Sequence, residues 1–241
     1  MPWDLLLSAW FVEFQISEEL TRTQTDLEAQ VELVAGLQEN IREIQDLIEQ
    51  QSLVFVNPDV NKYFDYLDKI VETAAFVIRP QIRSVRASIW LYNKSIDKMR
   101  IVAGYRIRHS TLRRFEMKRE DRGFAPHVIR SGGPEEKVGP SAGQDWQIDP
   151  ESTTPTTSIL GQPIKVGLDE AWEAVLCFST DRDIGKFPEY RFSVNDDAAT
   201  LRFFAGIISF VLSLSRDIQI AGSNGSPKMP LIQRIYERYT R

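Results

Sequence analysis

The sequence has little of what catalytic and metal sites are commonly built from. Its 241 residues include one cysteine, Cys177, and two histidines, His109 and His127. A single thiol excludes an internal disulfide framework and a cysteine-rich zinc site, and it favours a reducing, cytoplasmic compartment. Two histidines are too few for a multi-histidine metal centre. Because the Walker A and GxGxxG elements are also missing, we expect no cofactor, no catalytic residue and no enzyme.

Long apolar runs and dense basic patches are missing as well. No run reaches the roughly 20 apolar residues that span a bilayer. No basic patch with interleaved aromatic residues points to nucleic-acid binding. With 42% hydrophobic residues, 26% charged residues and a net charge of -5, the composition is typical of a soluble globular protein.

Residues 1–16 are apolar and aromatic. They lack the basic start and the cleavage site of a signal peptide, and they are too few to cross a membrane. Two interpretations stay open. The segment packs inside an oligomer, where it would begin the coiled coil that follows, or it rests on a partner or a membrane surface as a peripheral contact.

A heptad repeat follows over residues 18–55. Leu37 and Ile44 stand at d positions, and Val31 and Leu47 widen the apolar stripe beyond a two-stranded seam. The pattern predicts a coiled coil that forms a homo-oligomer. The alternative is a long helix folded back on its own domain. The a positions are Leu20, Leu27, Val34, Ile41, Ile48 and Phe55.

A change of period marks the next domain. Asn57-Pro58 breaks the helix, and Asp59 is placed to cap a second helix that ends near Ile78. Ala87, Ile89 and Leu91 then alternate with polar or amphipathic residues, which predicts a half-buried strand. The remaining expected elements are a return strand at 99–105, a helix at 123–131 ended by Gly132-Gly133, a long loop at 132–157, strands at 158–166 and 171–180, and a terminal helix at 193–220.

These patterns divide the chain into three parts: an N-terminal apolar segment with the coiled-coil helix at residues 1–57, a central domain at 58–221 and a tail at 222–241. The last begins with a flexible Gly/Ser-rich linker. Beyond it lies a short, basic amphipathic helix, which is marginal alone and is either disordered or a docking peptide for a partner.

Catalytic candidates are weak. Asp196-Asp197 precedes the terminal helix. The positive end of the helix dipole stabilises acidic residues there, so a capping role is favoured over acid–base chemistry. Cys177 falls within the apolar run Ala-Val-Leu-Cys-Phe and reads as an inert core thiol.

From about Asp59 to Gln219 the chain resembles a GAF domain. Two stretches resemble the strands of the family's first hairpin: Ala-Ser-Ile-Trp-Leu-Tyr at 87–92 and Met-Arg-Ile-Val-Ala-Gly at 99–104. Gly123 to Gly132 is similar to the family's G-x-x-x-x-V-x-x-x-G helix, and residues 158–164 to its S-x-L-x-x-P-I strand. Ala174-Val-Leu-Cys-Phe stands where the family has G-V-L-x-V, with alanine in place of glycine.

The resemblance also limits which of the family's ligands and activities this sequence can be expected to share. Of the signature of cyclic-nucleotide-binding members, only Lys186, Phe192 and Asp196 match. Relatives that attach a bilin use a loop cysteine, whereas Cys177 lies in a strand. Relatives that reduce methionine sulfoxide need several cysteines.

The resemblance implies an α+β fold, with a central antiparallel sheet flanked by helices, an N-terminal coiled-coil helix and a small-molecule pocket on one face of the sheet. A small anionic ligand could meet Arg106 or Arg108. The residues that the resemblance implies at the pocket are Arg106, Arg108, His109, Phe115, Phe124, His127, Trp146, Ser158, Gln162, Lys186 and Asp196.

These features predict a non-catalytic regulatory or signalling protein. A small molecule, such as a nucleotide, would bind in the GAF-like pocket, and the coiled coil would carry the change to a protein partner that holds the output. The alternative is an assembly or scaffold subunit whose pocket is degenerate and whose domain only mediates oligomerisation.

Overall fold

The computed structural model describes the sheet-containing part of the chain and little of what precedes it. The chain divides into two units, residues 1–45 and 46–241, and nearly all described residues lie in the second. The predictions for residues 1–16, for every a and d position from Leu20 to Phe55 and for the linker at 222–227 fall outside the described residues. The described residues are 42, 45–46, 59–78, 84–108, 111–112, 116–139, 156–167, 171–220 and 228–239.

A six-stranded sheet with the order β3-β2-β1-β6-β5-β4 forms the centre of the domain. Every pairing within it is antiparallel. The α+β class and the central antiparallel sheet predicted from the sequence are therefore confirmed. The strands are β1 (Arg86–Asn93), β2 (Lys98–Tyr105), β3 (Glu116–Met117), β4 (Glu135–Val138), β5 (Ser158–Lys165) and β6 (Trp172–Thr180).

Helices cover both faces of the sheet. The helix α2 lies on one face, and α1, α3 and α4 lie on the other. Successive residues of β1 face opposite layers, so Ile89 joins the larger core and Trp90 the smaller one. Seven of the eight β1 residues are buried, whereas alternation alone predicted a half-buried strand. The helices are α1 (Val60–Ile78), α2 (Phe124–Ser131), α3 (Ala198–Asp217) and α4 (Leu231–Tyr236).

Two predicted helix ends are confirmed by their hydrogen bonds. The Asp59 side chain accepts a bond from the backbone N–H of Asn61 at 2.9 Å, which caps the start of α1. Gly132 ends α2 in the left-handed conformation, with φ 70°. Its N–H donates to the carbonyl of Val128 at 3.1 Å, as glycine commonly does at a helix C-terminus.

The C-terminal residues fold back onto this domain. Two short strands, β7 (Gln219–Ile220) and β8 (Met229–Pro230), pair in a second small sheet. All four apolar side chains of α4 are buried in the larger core. The sequence predicted a tail that is either disordered or free for a partner. Instead, the apolar side chains of α4 belong to the same core as the main sheet.

The helix α3 is unusually apolar for its length. It has 20 residues, and an 18-residue stretch of it has a mean hydropathy of 1.7. Within the described ranges it is the one helix long and apolar enough to cross a membrane. Its buried side, which includes Phe204, Ile208 and Val211, packs into the larger core. Length and composition therefore do not by themselves make α3 a membrane span.

Candidate functional site

A small cavity lies between α2 and the sheet. Its sheet side is formed by Trp90, Ile159 and Cys177, with Met117 at the edge. Its helix side is formed by the start of α2, from Gly123 to Ala125. The cavity has a volume of about 10 Å³, which leaves room for about one water molecule.

Two glycines allow α2 to lie this close to the sheet. A Cβ at Gly161 would lie 2.7 Å from Phe124 Cε1 and 2.7 Å from Val128 Cγ2. Gly123 has φ 148°, a backbone region that other residues rarely adopt. A Cβ there would overlap the methyl carbon of Met117. The tip of Met117 therefore rests in the space that Gly123 leaves open.

The walls of the cavity are apolar and uncharged. Burial raises the pKa of the Cys177 thiol well above its usual range, so the sulfur stays protonated at neutral pH. The indole N–H of Trp90 is satisfied by the side-chain oxygen of Ser88 at 3.1 Å. The chemistry on offer is therefore apolar contact, without a nucleophile or a charge.

The arginines predicted for the pocket lie outside it. Arg106 and Arg108 follow β2 and are exposed. Arg106 has φ 57°, and its guanidinium carbon stands 5.2 Å from the ring centre of Tyr105. Neither arginine lines the cavity.

Among the predicted pocket residues that the structure describes, Phe124 lines the cavity, and it is 1% exposed. His127 follows on α2, and its Nε2 lies 3.4 Å from a carboxylate oxygen of Glu135. This contact is an ion pair when the histidine is protonated. The predicted residues His109, Phe115 and Trp146 lie outside the described ranges.

Ser158 and Gln162 lie on β5 but on the other side of the sheet from the cavity. They alternate with Ile159 and Gly161, which face α2, so they point toward the larger core. Ser158 accepts a hydrogen bond from the backbone N–H of Phe192 at 3.0 Å. Gln162 donates to a neighbouring backbone carbonyl at 3.0 Å.

Lys186 and Asp196 lie in the loop before α3. The Lys186 side chain is 77% exposed and stands 3.7 Å from an Asp183 oxygen. Asp196 is exposed, whereas Asp197 is 5% exposed. Asp197 precedes α3, and its carboxylate accepts a bond from the backbone N–H of Ser193 at 3.0 Å. Neither Lys186 nor Asp196 is among the residues around the cavity.

Most of the cavity wall was missed by sequence reasoning. The β1 alternation separates Trp90 from Ile89 and Leu91, so it could have assigned Trp90 to the α2 side of the sheet. Nothing in the sequence marks Met117, because β3 has only two residues. Within the described ranges, no group of three or more metal-binding side chains comes together.

No family model and no curated protein matches the sequence. Solved structures do match the fold. The GAF domain of a phosphoenolpyruvate-protein phosphotransferase from Acinetobacter is 15% identical over 73% of this chain and 96% of that one, with a TM-score of 0.52. The corresponding GAF domain from Coxiella burnetii is 12% identical over 71% and 95% of the two chains, with a TM-score of 0.50.

A third similar structure is an enzyme. It is the free methionine-R-sulfoxide reductase from Neisseria meningitidis in complex with its substrate. It is 16% identical over 74% of this chain and 93% of that one, with a TM-score of 0.51. At these identities the likeness shows the fold alone. The described domain therefore has a GAF-like fold, as the order of the sequence motifs indicated.

Proposed function

We propose that this chain is a non-catalytic regulatory protein whose GAF-like domain binds a small molecule under α2. The observation that carries the proposal is the cavity between α2 and the sheet, which has the flexible side chain of Met117 at its edge. The bound molecule would favour one of two packings of α2 on the sheet. A ligand shifts such an equilibrium by its difference in affinity for the two states.

The sheet offers a path from the cavity to the opposite layer. Trp90 faces the cavity, while its neighbours Ile89 and Leu91 pack in the larger core with α1. In the sequence, α1 follows the heptad segment directly after the break at Asn57-Pro58. We propose that the heptad segment carries the change to a protein partner that holds the output.

The thiol chemistry supports a non-catalytic role. The similar structure from Neisseria meningitidis is a reductase, but this chain has one cysteine. Cys177 is 4% exposed, and burial raises the pKa of its thiol. A protonated, buried thiol is a poor nucleophile.

Thermal unfolding of the full chain tests ligand binding. A panel should contain cyclic mono- and dinucleotides together with uncharged aromatic and aliphatic compounds. A ligand present at about 100 times its Kd stabilises the folded state by roughly 2.7 kcal/mol. For a chain of this size, each kcal/mol raises the melting temperature by about 2–4 °C.

A filled cavity provides the control. Ala125→Leu adds side-chain volume in the cavity wall and should abolish the stabilisation by any true ligand. Ala199→Leu makes the same change at an exposed position of α3 and should preserve it. Stabilisation that survives Ala125→Leu would place the ligand elsewhere.

A second candidate function is assembly, and the outer side of α3 favours it. Phe203 is 42% exposed and Phe210 is 50% exposed. They are seven residues apart on a helix, with the exposed Gly206 between them. Large apolar side chains at heptad spacing are typical of a helix that packs on another helix. We propose a second copy of this chain as the partner of this side.

Sedimentation of the full chain distinguishes this candidate. Phe203→Gln with Phe210→Gln should shift the protein toward monomers if α3 contributes to the interface. Arg202→Gln changes a neighbouring exposed residue and serves as the control. An unchanged distribution in the double variant would exclude α3 from the interface.

A further inference from the structure

We propose that the molecule bound under α2 is uncharged and apolar, and that Met117 moves aside to admit it. This inference rests on the proposed ligand-binding function and specifies its ligand class. It departs from the anionic ligand that Arg106 and Arg108 suggested in the sequence. Three features of the described residues support it: the wall, the nearby charges and the edge strand.

The side chains of the wall offer no compensation for a charge. Trp90, Phe124 and Ile159 present carbon surfaces that are at most 3% exposed. The one polar group among the ring atoms, the Trp90 N–H, is already bonded to Ser88. The thiol of Cys177 is neutral. Transfer of a charged group into such surroundings is strongly unfavourable unless it is paired.

Charged side chains on β3 and on α2 are engaged with other groups. Glu116, the residue before Met117, bonds to Lys98 and Arg100. Arg130, on the last turn of α2, donates to the backbone carbonyls of Arg119 and Asp121. An anionic ligand that paired with Lys98, Arg100 or Arg130 would have to break one of these contacts.

Met117 is placed to act as a movable side chain. It lies on β3, which has two residues and pairs only with β2 at the sheet edge. Its methyl group rests against Gly123, which has no side chain of its own. Methionine is unbranched and adapts to gaps of different shape. Rotation of Met117 out of this space would enlarge a cavity that has room for about one water molecule.

Nuclear magnetic resonance of the full chain, labelled at the methionine methyl groups, reports on this movement. The chain has four methionines: Met1, Met99, Met117 and Met229. Indole serves as the uncharged aromatic probe and cyclic AMP as the anionic one. We expect indole to shift the Met117 signal in a saturable way and to leave Met229, in β8 of the second sheet, unchanged. Cyclic AMP should shift neither.

Matched variants separate the side chain from the cavity. Met117→Ala removes the group that must move and should tighten indole binding about tenfold by calorimetry, the equivalent of about 1.4 kcal/mol. Met117→Lys introduces a charge at the same position and should abolish binding. Met229→Ala makes the alanine change on β8 and should leave the affinity unchanged. Circular dichroism establishes that each variant is folded.

The outcomes distinguish the ligand class from the ligand-binding function. A saturable Met117 shift with cyclic AMP, and none with indole, would overturn the apolar class while keeping the proposed site. Indole binding by Met117→Ala alone would show that Met117 closes the cavity permanently, which also overturns the inference. If neither probe affects Met117 in the unaltered chain and the wider panel gives no stabilisation, the proposed function fails together with it.

Discussion

The distance between α2 and the sheet depends on Gly161, and Gly161→Ala tests it directly. The added Cβ would lie 2.7 Å from Phe124 Cε1 and 2.7 Å from Val128 Cγ2, whereas carbon atoms in contact are about 3.5–4.0 Å apart. Both neighbours are at most 1% exposed, so neither can turn into solvent. Overpacking of this kind costs about 1–3 kcal/mol. For this chain we expect a fall in melting temperature of about 2–12 °C.

Urea and thermal unfolding of the full chain measure this loss. Gly133→Ala is the matched control, because a Cβ there would have no atom within 4 Å, and its effect should stay within about 0.5 kcal/mol. Val128→Ala combined with Gly161→Ala removes one of the two clashing atoms. The pair should therefore lose less free energy of unfolding than the sum of the single changes. If Gly161→Ala is as stable as the unaltered protein, α2 does not approach the sheet this closely.

Three further predictions concern the tail, the sheet edge and the thiol. Arg238→Met should lower the free energy of unfolding by about 1–2 kcal/mol, measured in urea, because a largely buried guanidinium loses its hydrogen bonds. An unchanged midpoint would contradict this. The pKa of Glu116 lies below its usual 4.5 because Lys98 and Arg100 bond to the carboxylate. The carboxylate therefore stabilises the fold above pH 4.5, and this stabilisation is lost as the pH falls through the lower pKa of the folded state. Glu116→Gln should flatten the acid-unfolding curve over this pH range. Equal curves for the two proteins would refute the reasoning. Cys177 should react with a thiol reagent at mildly alkaline pH only when the protein unfolds, since burial raises its pKa; rapid reaction in the native state would exclude the buried position.

The sheet and the helix order could be predicted because local patterns determine them. The alternation of Ala87, Ile89 and Leu91 identified β1, and Gly132 marked the end of α2. The same alternation did not reveal that β1 is buried on both faces. That depends on the helices that cover each side, which the alternation within one strand does not show.

The site was harder to predict because the direction of each side chain depends on strand register. The resemblance to the family assigned Ser158 and Gln162 to the pocket. The alternation of side chains along β5 instead turns them toward the larger core. A shift of one residue moves a side chain to the opposite face. Arg106 and Arg108 come after the end of β2, where no periodicity fixes their direction.

The tail was misjudged for a different reason. A helix as short as α4 has little stability alone, and its sequence does not show what it will contact. In the structure, Tyr236 packs edge-on against Trp172 with ring centres 5.5 Å apart. Arg238 forms two hydrogen bonds to Asp68, at 2.9 and 2.6 Å. Both contacts join residues that are far apart in the chain.

The position of α4 has a consequence for the order in which the domain folds. Arg238 bonds to Asp68 across 170 residues and to the carbonyl of Val102 across 136. Contacts of such long sequence separation form slowly, because the chain must close a large loop before it gains them. During synthesis, α1 and β2 leave the ribosome long before their partner exists. The larger core can therefore be completed only after α4 has been released, and until then the part of that core that α4 covers is exposed to chaperones or to aggregation.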